Sequence, residues 1–294
     1  MLGRLAQRVF NTPLLLRPEK AEIIVCALSE RLGVSKLDRV DGTTLGVLEM
    51  RAAASDASRN GQKRKLYAEA DGVAVIPIHD TLVQRSDYVD PESGVTGYNW
   101  IAQKLRAAMA DDEVRAIWFD IDSPGGEANG CFALAEEIAL CTKSEGGKPI
   151  WAYVNEQATS GAYALASVCD KIFAPEGAIA ASIGAYIMHV DFSKALTEEG
   201  IVVSIIQSGD RKARANEFEP LDDPAREKLQ AFVDRTRNQF AALVASGRRL
   251  PVKKVMDTEA DWFDAQECLS LGLIDGIMSE GEAWAKLQRS LARN

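Results

Sequence analysis

Histidine is nearly missing from this chain: His79 and His189 are the two among 294 residues, which leaves little room for histidine-based chemistry. Cysteine is sparse as well. Cys26, Cys131, Cys141, Cys169 and Cys268 are scattered, odd in number and without a C-x-x-C pair. Neither a disulfide framework nor a zinc site is indicated, and reduced, partly buried thiols in a cytosolic setting are expected. No apolar run approaches the roughly 18–20 residues that a bilayer span requires. The first apolar runs are short and broken by Pro13, Arg17 and Pro18, so the h-region of a secretory signal is lacking. A cytoplasmic location is therefore expected. Basic charge is in deficit, the net charge being −9, which argues against nucleic acid or an anionic membrane as the main partner. Internal repeats, low-complexity tracts and the G-x-G-x-x-G and G-K-[ST] patterns are missing too, so no nucleotide cradle is expected.

What is present is a large apolar fraction, 47%, enough for one sizeable core or a core with an appendage. Residues 1–50 read as a small helical appendage. Across 19–32, Ile23, Ile24, Cys26, Ala27 and Leu32 recur at approximately helical spacing, and Pro18 suits a helix start. Residues 51–70 lose that pattern in a polar, glycine-containing run that reads as a linker. Residues 71–294 carry the main domain. Apolar β runs at 73–78, 114–121, 150–154, 171–174, 185–190 and 201–207 alternate with helical stretches at 98–109, 128–141, after Ser160 and at 192–199. Such alternation needs crossover connections and parallel pairing, so an α/β fold is expected. The last third turns helical. A long amphipathic helix over 224–246 with Gly247 as its stop precedes a capped helical turn at 264–272 and a final β segment at 273–277.

Three polar or glycine-rich corners interrupt this alternation. Asp122-Ser123-Pro124-Gly125-Gly126 follows a buried strand and precedes a helix. Paired glycines let backbone N–H groups approach and point at a ligand, which suits an oxyanion hole; a tight turn that needs glycine is the plainer use. Thr159-Ser160-Gly161-Ala162 lies at a strand-to-helix corner. A serine there can expose its hydroxyl as a nucleophile, although helix capping is the commoner role. Ser208-Gly209-Asp210-Arg211-Lys212 follows the run at 201–207, and a lysine is by default solvated. In Ile187-Met188-His189-Val190-Asp191, His189 offers a rival base in a Ser-His-Asp triad; the bland reading is a packed or surface histidine.

Taken in order, strand, Pro-Gly-Gly, helix, strand, Thr-Ser-Gly-Ala, helix and Ser-Gly-x-x-Lys resemble the signal peptide peptidase A family of serine peptidases, which have a ClpP/crotonase-like fold, a spiral of βαβ units. Ala181-Ser182-Ile183-Gly184 matches that family's [GA]-S-I-G segment, and the 52 positions from Ser160 to Lys212 fit its single-domain members. The resemblance covers about residues 72–280. It implies Ser160 as nucleophile, Lys212 as general base and the N–H groups of Gly126 and Gly161 as oxyanion hole, with no cofactor or metal. It also implies a homo-oligomeric ring in which each dyad is assembled across neighbouring protomers. A lysine base must be neutral, so Lys212 is expected to be sheltered from water in the active assembly, with the nearby cations Arg211 and Arg214 helping to lower its pKa and Asp210 opposing them.

Phe10-Asn11-Thr12-Pro13-Leu14, Cys26-Ala27-Leu28, Gly94-Val95-Thr96-Gly97-Tyr98-Asn99 and Asp257-Thr258-Glu259-Ala260 carry a narrower resemblance, to the capsid assembly proteases of tailed phages, also called minor capsid protein C. The implied substrate is a scaffold or other capsid-assembly protein, the implied partners a procapsid and portal, and the implied location the host cytoplasm or procapsid. Long members carry a C-terminal scaffold extension, and this chain stops soon after the peptidase region; a separately encoded scaffold and a prophage remnant both stay open. Three other readings are a host-type cytosolic peptidase of the same family, a non-catalytic capsid-associated protein, and a crotonase-type acyl-CoA enzyme, a class that commonly uses carboxylates.

Overall fold

Valine, isoleucine and aromatic residues concentrate where the sheet is deepest, as they should on a pleated surface covered on both faces. The computed structural model describes residues 65–86 and 94–293, together with three short strands before them: β1 (Leu14–Leu16), β2 (Leu37–Asp38) and β3 (Thr44–Leu45). The helix expected over 19–32 lies outside the described residues, as does the expected linker up to residue 64. β4 (Ala68–Ala70), at the end of the stretch read as linker, pairs antiparallel with β5 (Val73–Val83). β6 (Val95–Gly97) runs parallel to the end of β5 and leads into α1 (Tyr98–Met109).

The centre of the sheet is a run of parallel strands. β7 (Ala116–Glu127) lies between β5 and β8 (Ile150–Thr159), with Val75 opposite Trp118 and Trp118 opposite Trp151. α2 (Cys131–Cys141) connects β7 to β8, and α3 (Gly161–Ser167) follows β8 directly. Beyond β8 the sheet forks. β9 (Lys171–Ala174) pairs with the first half of β8, and β10 (Ile179–Ala181) pairs with its last three residues. After α4 (Ser193–Glu198) come the long α5 (Asp223–Arg248), α6 (Val252–Met256), β11 (Trp262–Asp264) on β10, α7 (Ala265–Leu271), β12 (Gly276–Ile277) on β9, and α8 (Glu280–Leu291). Parallel neighbours joined by helical crossovers make this the α/β architecture of βαβ units that the alternation predicts.

Alternation along β7 distributes the core. Ile117, Phe119 and Ile121 join the larger cluster, beneath Leu105, Leu134, Leu165 and Phe240 of α1, α2, α3 and α5. Ala116 and Trp118 face the other way, where Trp118 stacks on Tyr153 at 5.6 Å and meets Trp284 of α8 edge-on at 5.3 Å. The C-terminal segment is tied back to the sheet by Asp275, which accepts from Arg248 and from the N–H of Ile172, each at 2.9 Å. Burial opposes ionisation of Asp275, but Arg248 and these hydrogen bonds outweigh it and hold the carboxyl below its usual range.

Several sequence expectations need correction. Residues 185–190 hold an isolated bridge at Tyr186 rather than a strand, and 201–207 have no regular structure. β-propensity there finds no sheet edge to pair with among the described residues: Val202 and Ile206 are 88% and 98% exposed. Pro124-Gly125-Gly126 is no turn, since β7 continues through it to Glu127. Gly247 does not end its helix. Arg249 takes the left-handed cap position, while Gly247 lies so close to α3 that a Cβ would overlap the Ser167 carbonyl.

Candidate active site

The corner between β8 and α3 has the conformation that a helix cap does not need. Ser160 sits at φ 55° and ψ −124°, in the left-handed half of the map where non-glycine residues are rare, and is 2% exposed. Its side chain makes no capping hydrogen bond to α3. A backbone of this kind costs about 1–3 kcal/mol and persists only where its surroundings fix it. They do so here. The Ser160 N–H donates to the Ala181 carbonyl at 2.7 Å, and α3 behind it is buried along its whole length. Within α3 the Tyr163 hydroxyl donates to the Leu273 carbonyl at 2.8 Å.

The neighbouring Ala181-Ser182-Ile183-Gly184 stretch is strained as well, with φ of 81° at Ala181 and 54° at Ser182. Ala181 pairs with Thr159, and the Ser182 N–H donates to the Asp261 carbonyl at 2.9 Å. Gly184 packs so tightly on Ala260 that a Cβ would have to displace it. This segment braces the serine corner from the side.

The glycine pair lies on the adjacent strand. The last rung between β7 and β8 joins Ser123 to Ala158; Gly126 is three residues beyond it on one strand and Ser160 two beyond it on the other. Gly125 has φ 94°, and its N–H donates to Ser123 Oγ at 3.1 Å. Ser123 Oγ in turn donates to the carbonyl of Asp80, itself a bulge residue at φ 60°. Gly126 presses against β5, where a Cβ would overlap the Leu82 carbonyl. Glycine is required there for close approach of two strands, and not to reverse the chain. Gly161 is buried at the start of α3, where its carbonyl accepts from Cys131 Sγ at 3.4 Å. Burial pushes the Cys131 thiol up to about 12, so this cysteine is no rival nucleophile.

Lys212 is elsewhere. It lies in an exposed turn over 208–215, its N–H donating to the Gly209 carbonyl at 3.0 Å, and among the described residues no hydrogen bond joins it to Ser160. Arg214 is paired with Asp222 at 3.7 Å, so its charge is already answered. His189 is half-buried in the segment before α4. Asp191, the acid that a triad would place behind it, accepts the Ser193 N–H at 2.8 Å and starts α4 instead. Hydrogen bonds from Ser193 hold the Asp191 carboxyl below its usual range.

Two clusters escaped sequence reading. Asp80 and Ser123, 43 positions apart, set the geometry of the glycine pair, and no local pattern links them. His79 and Asp120 lie 3.1 Å apart on adjoining strands, with Asn155 donating to the other Asp120 oxygen at 3.2 Å. The bond to Asp120 raises the His79 pKa above its ordinary value. Among the described residues Glu69, Asp111 and Glu113 could gather around a metal ion. Lys65 already answers that charge, 2.9 Å from Asp111 and 3.0 Å from Glu113, at the end of the sheet away from Ser160.

Residues 142–293 match peptidase family S49, a stretch that contains Ser160, Gly161 and Lys212 and begins after Gly126. The chain is 36% identical over 293 residues to capsid assembly protease C of Escherichia phage lambda, covering 99% of this chain and 66% of that protein. It is also 36% identical over 299 residues to head-tail preconnector protein GP5 of Enterobacteria phage P21, covering 100% and 58%. Protease 4 of Haemophilus influenzae is 27% identical over 226 residues, 76% of this chain and 35% of that protein. Identity and coverage are thus higher for the two phage proteins, and the chain spans only 66% and 58% of their lengths. An enoyl-CoA hydratase structure from Shewanella pealeana overlaps at a TM-score of 0.45 and 16% identity, over 77% of this chain and 73% of that one, too slight a likeness to carry an argument. By sequence the chain belongs to peptidase family S49.

Proposed function

We propose that this chain is a serine endopeptidase that cleaves a scaffold or other capsid-assembly protein, with Ser160 as nucleophile and Lys212 of a neighbouring copy as general base. The observation that carries the reading is the strained Ser160 corner: a positive φ, no capping bond, and a glycine strand edge beside it. Ser160 Oγ attacks the peptide carbonyl carbon while neutral Lys212 takes its proton. The N–H groups of Gly126 and Gly161 hold the resulting oxyanion, where loss of one donor costs about 2.7–4 kcal/mol of barrier. Collapse expels the amine, which receives the proton from Lys212 and leaves an ester on Ser160. Water, deprotonated by the same lysine, then releases the acid and restores the serine.

Two features support completion by a second copy. Lys212 is exposed in the single chain, and the apolar residues Ile201, Val202, Val203 and Ile206 on the same arm are exposed with it. A neighbouring protomer that covered this arm would bury apolar surface and shelter the lysine together. The names of the two phage relatives support the substrate class. Incubating the chain with a capsid scaffold protein tests the reading. The expected result is discrete cleavage by wild type and none by Ser160→Ala. Indiscriminate digestion of unfolded casein with the scaffold left intact would favour a general turnover peptidase instead.

A further inference from the structure

Beyond Ser123–Ala158, β8 leaves β7 and turns into the serine corner, so one edge of β7 at Gly125–Glu127 loses its partner. An edge of this kind offers unpaired N–H and C=O groups to any extended peptide. In this chain the position is filled. β1 runs antiparallel along it, Leu14 opposite Glu127, Leu15 opposite Gly126 and Leu16 opposite Gly125. The opposite edge of the same residues is already held by β5, where Thr81 pairs with Gly125 and Leu82 with Gly126. β1 therefore lies on the side from which β8 departed, the side of Ser160.

We propose that Leu14–Leu16 is a built-in pseudosubstrate, occupying in cis the strand position along which a polypeptide must lie to be cut; this rests on the reading of Ser160 as nucleophile. The register puts its middle residue opposite Gly126, the expected oxyanion donor. Pro13 before the strand and Pro18 after it lack N–H groups, so the ladder cannot extend far in either direction. A segment of the same chain meets its site without a bimolecular encounter, at an effective concentration that a dilute stray chain does not reach. Stray unfolded chains, which bring little more than backbone pairing, compete poorly with it. A substrate concentrated beside the enzyme within an assembly displaces it.

The test uses the full chain and its Leu15→Pro variant, which removes one strand N–H and disfavours pairing opposite Gly126. Two readouts are followed: amide hydrogen exchange of Gly126 and Glu127, and the rate at which a serine-directed fluorophosphonate labels Ser160. Protected amides in wild type, faster exchange in the variant and labelling about tenfold faster are expected, as for a groove that is otherwise open about a tenth of the time. A synthetic peptide of residues 11–17 should slow labelling of the variant again. Exchange at Gly126 and Glu127 in wild type as fast as at an open strand edge overturns the proposal, whether or not the variant folds. So does labelling that depends on Ser160 yet proceeds at the same rate in both chains. Labelling that persists in Ser160→Ala removes the nucleophile reading instead, and exchange then decides the strand occupancy alone.

Discussion

At the scale of single residues, strain and close approach separate this site from an ordinary strand end. Ser160 holds a positive φ and spends no side-chain bond on its helix, so its hydroxyl is kept for something other than capping. Gly126 has no room for a methyl group against the Leu82 carbonyl. Gly126→Ala must therefore push β7 and β5 apart at the expected oxyanion donor. We expect a loss of about 100-fold or more in turnover together with about 1–3 kcal/mol of stability, read from peptide hydrolysis and urea unfolding. An active, fully stable alanine variant would remove Gly126 from the site. Ser160, Gly161 and the glycine pair stood out in the sequence as local patterns, but the reason for Gly126 is not local: it is the close approach of β5 at Leu82. Asp80 did not stand out. Its carbonyl holds Ser123 from 43 positions away, and only the strand register brings the two together.

At the scale of elements, the helix after the serine is held from two directions. Tyr163 bonds the C-terminal segment through Leu273, and α5 packs against the end of α3 with Gly247 at the contact. Two effects compete in Gly247→Ala. Helix propensity favours alanine by about 1 kcal/mol. Overlap with the backbone of Ser167 and Val168 cannot be relieved by rotating a side chain, and overpacking of that kind costs about 1–3 kcal/mol or more. The overlap should win, so the urea midpoint is expected to fall; a rise would show that α5 shifts freely. Sequence spacing predicted α1 and α5 well, since an amphipathic stripe carries its own evidence. It misread 201–207, whose apolar residues look like a strand but find no edge among the described residues. Propensity describes what a segment fits, and the partner that completes it can lie outside the chain.

At the scale of the whole molecule, the parallel sheet, its helical crossovers and family S49 membership agree with the architecture expected from the alternating pattern. Among the described residues no helix is long and apolar enough to cross a membrane. The exposed arm from Ile201 to Lys212 is the feature a single chain leaves unexplained, because it combines solvent-facing apolar residues with the expected base. The proposed ring resolves both at once. Its most direct test mixes two inactive proteins, Ser160→Ala and Lys212→Ala, unfolded together and refolded so that subunits randomise. Sites that pair an intact Ser160 from one chain with an intact Lys212 from the next should return a measurable fraction of wild-type hydrolysis, with each variant alone inactive. Mixed oligomers that form yet recover no activity would contradict a dyad shared between protomers.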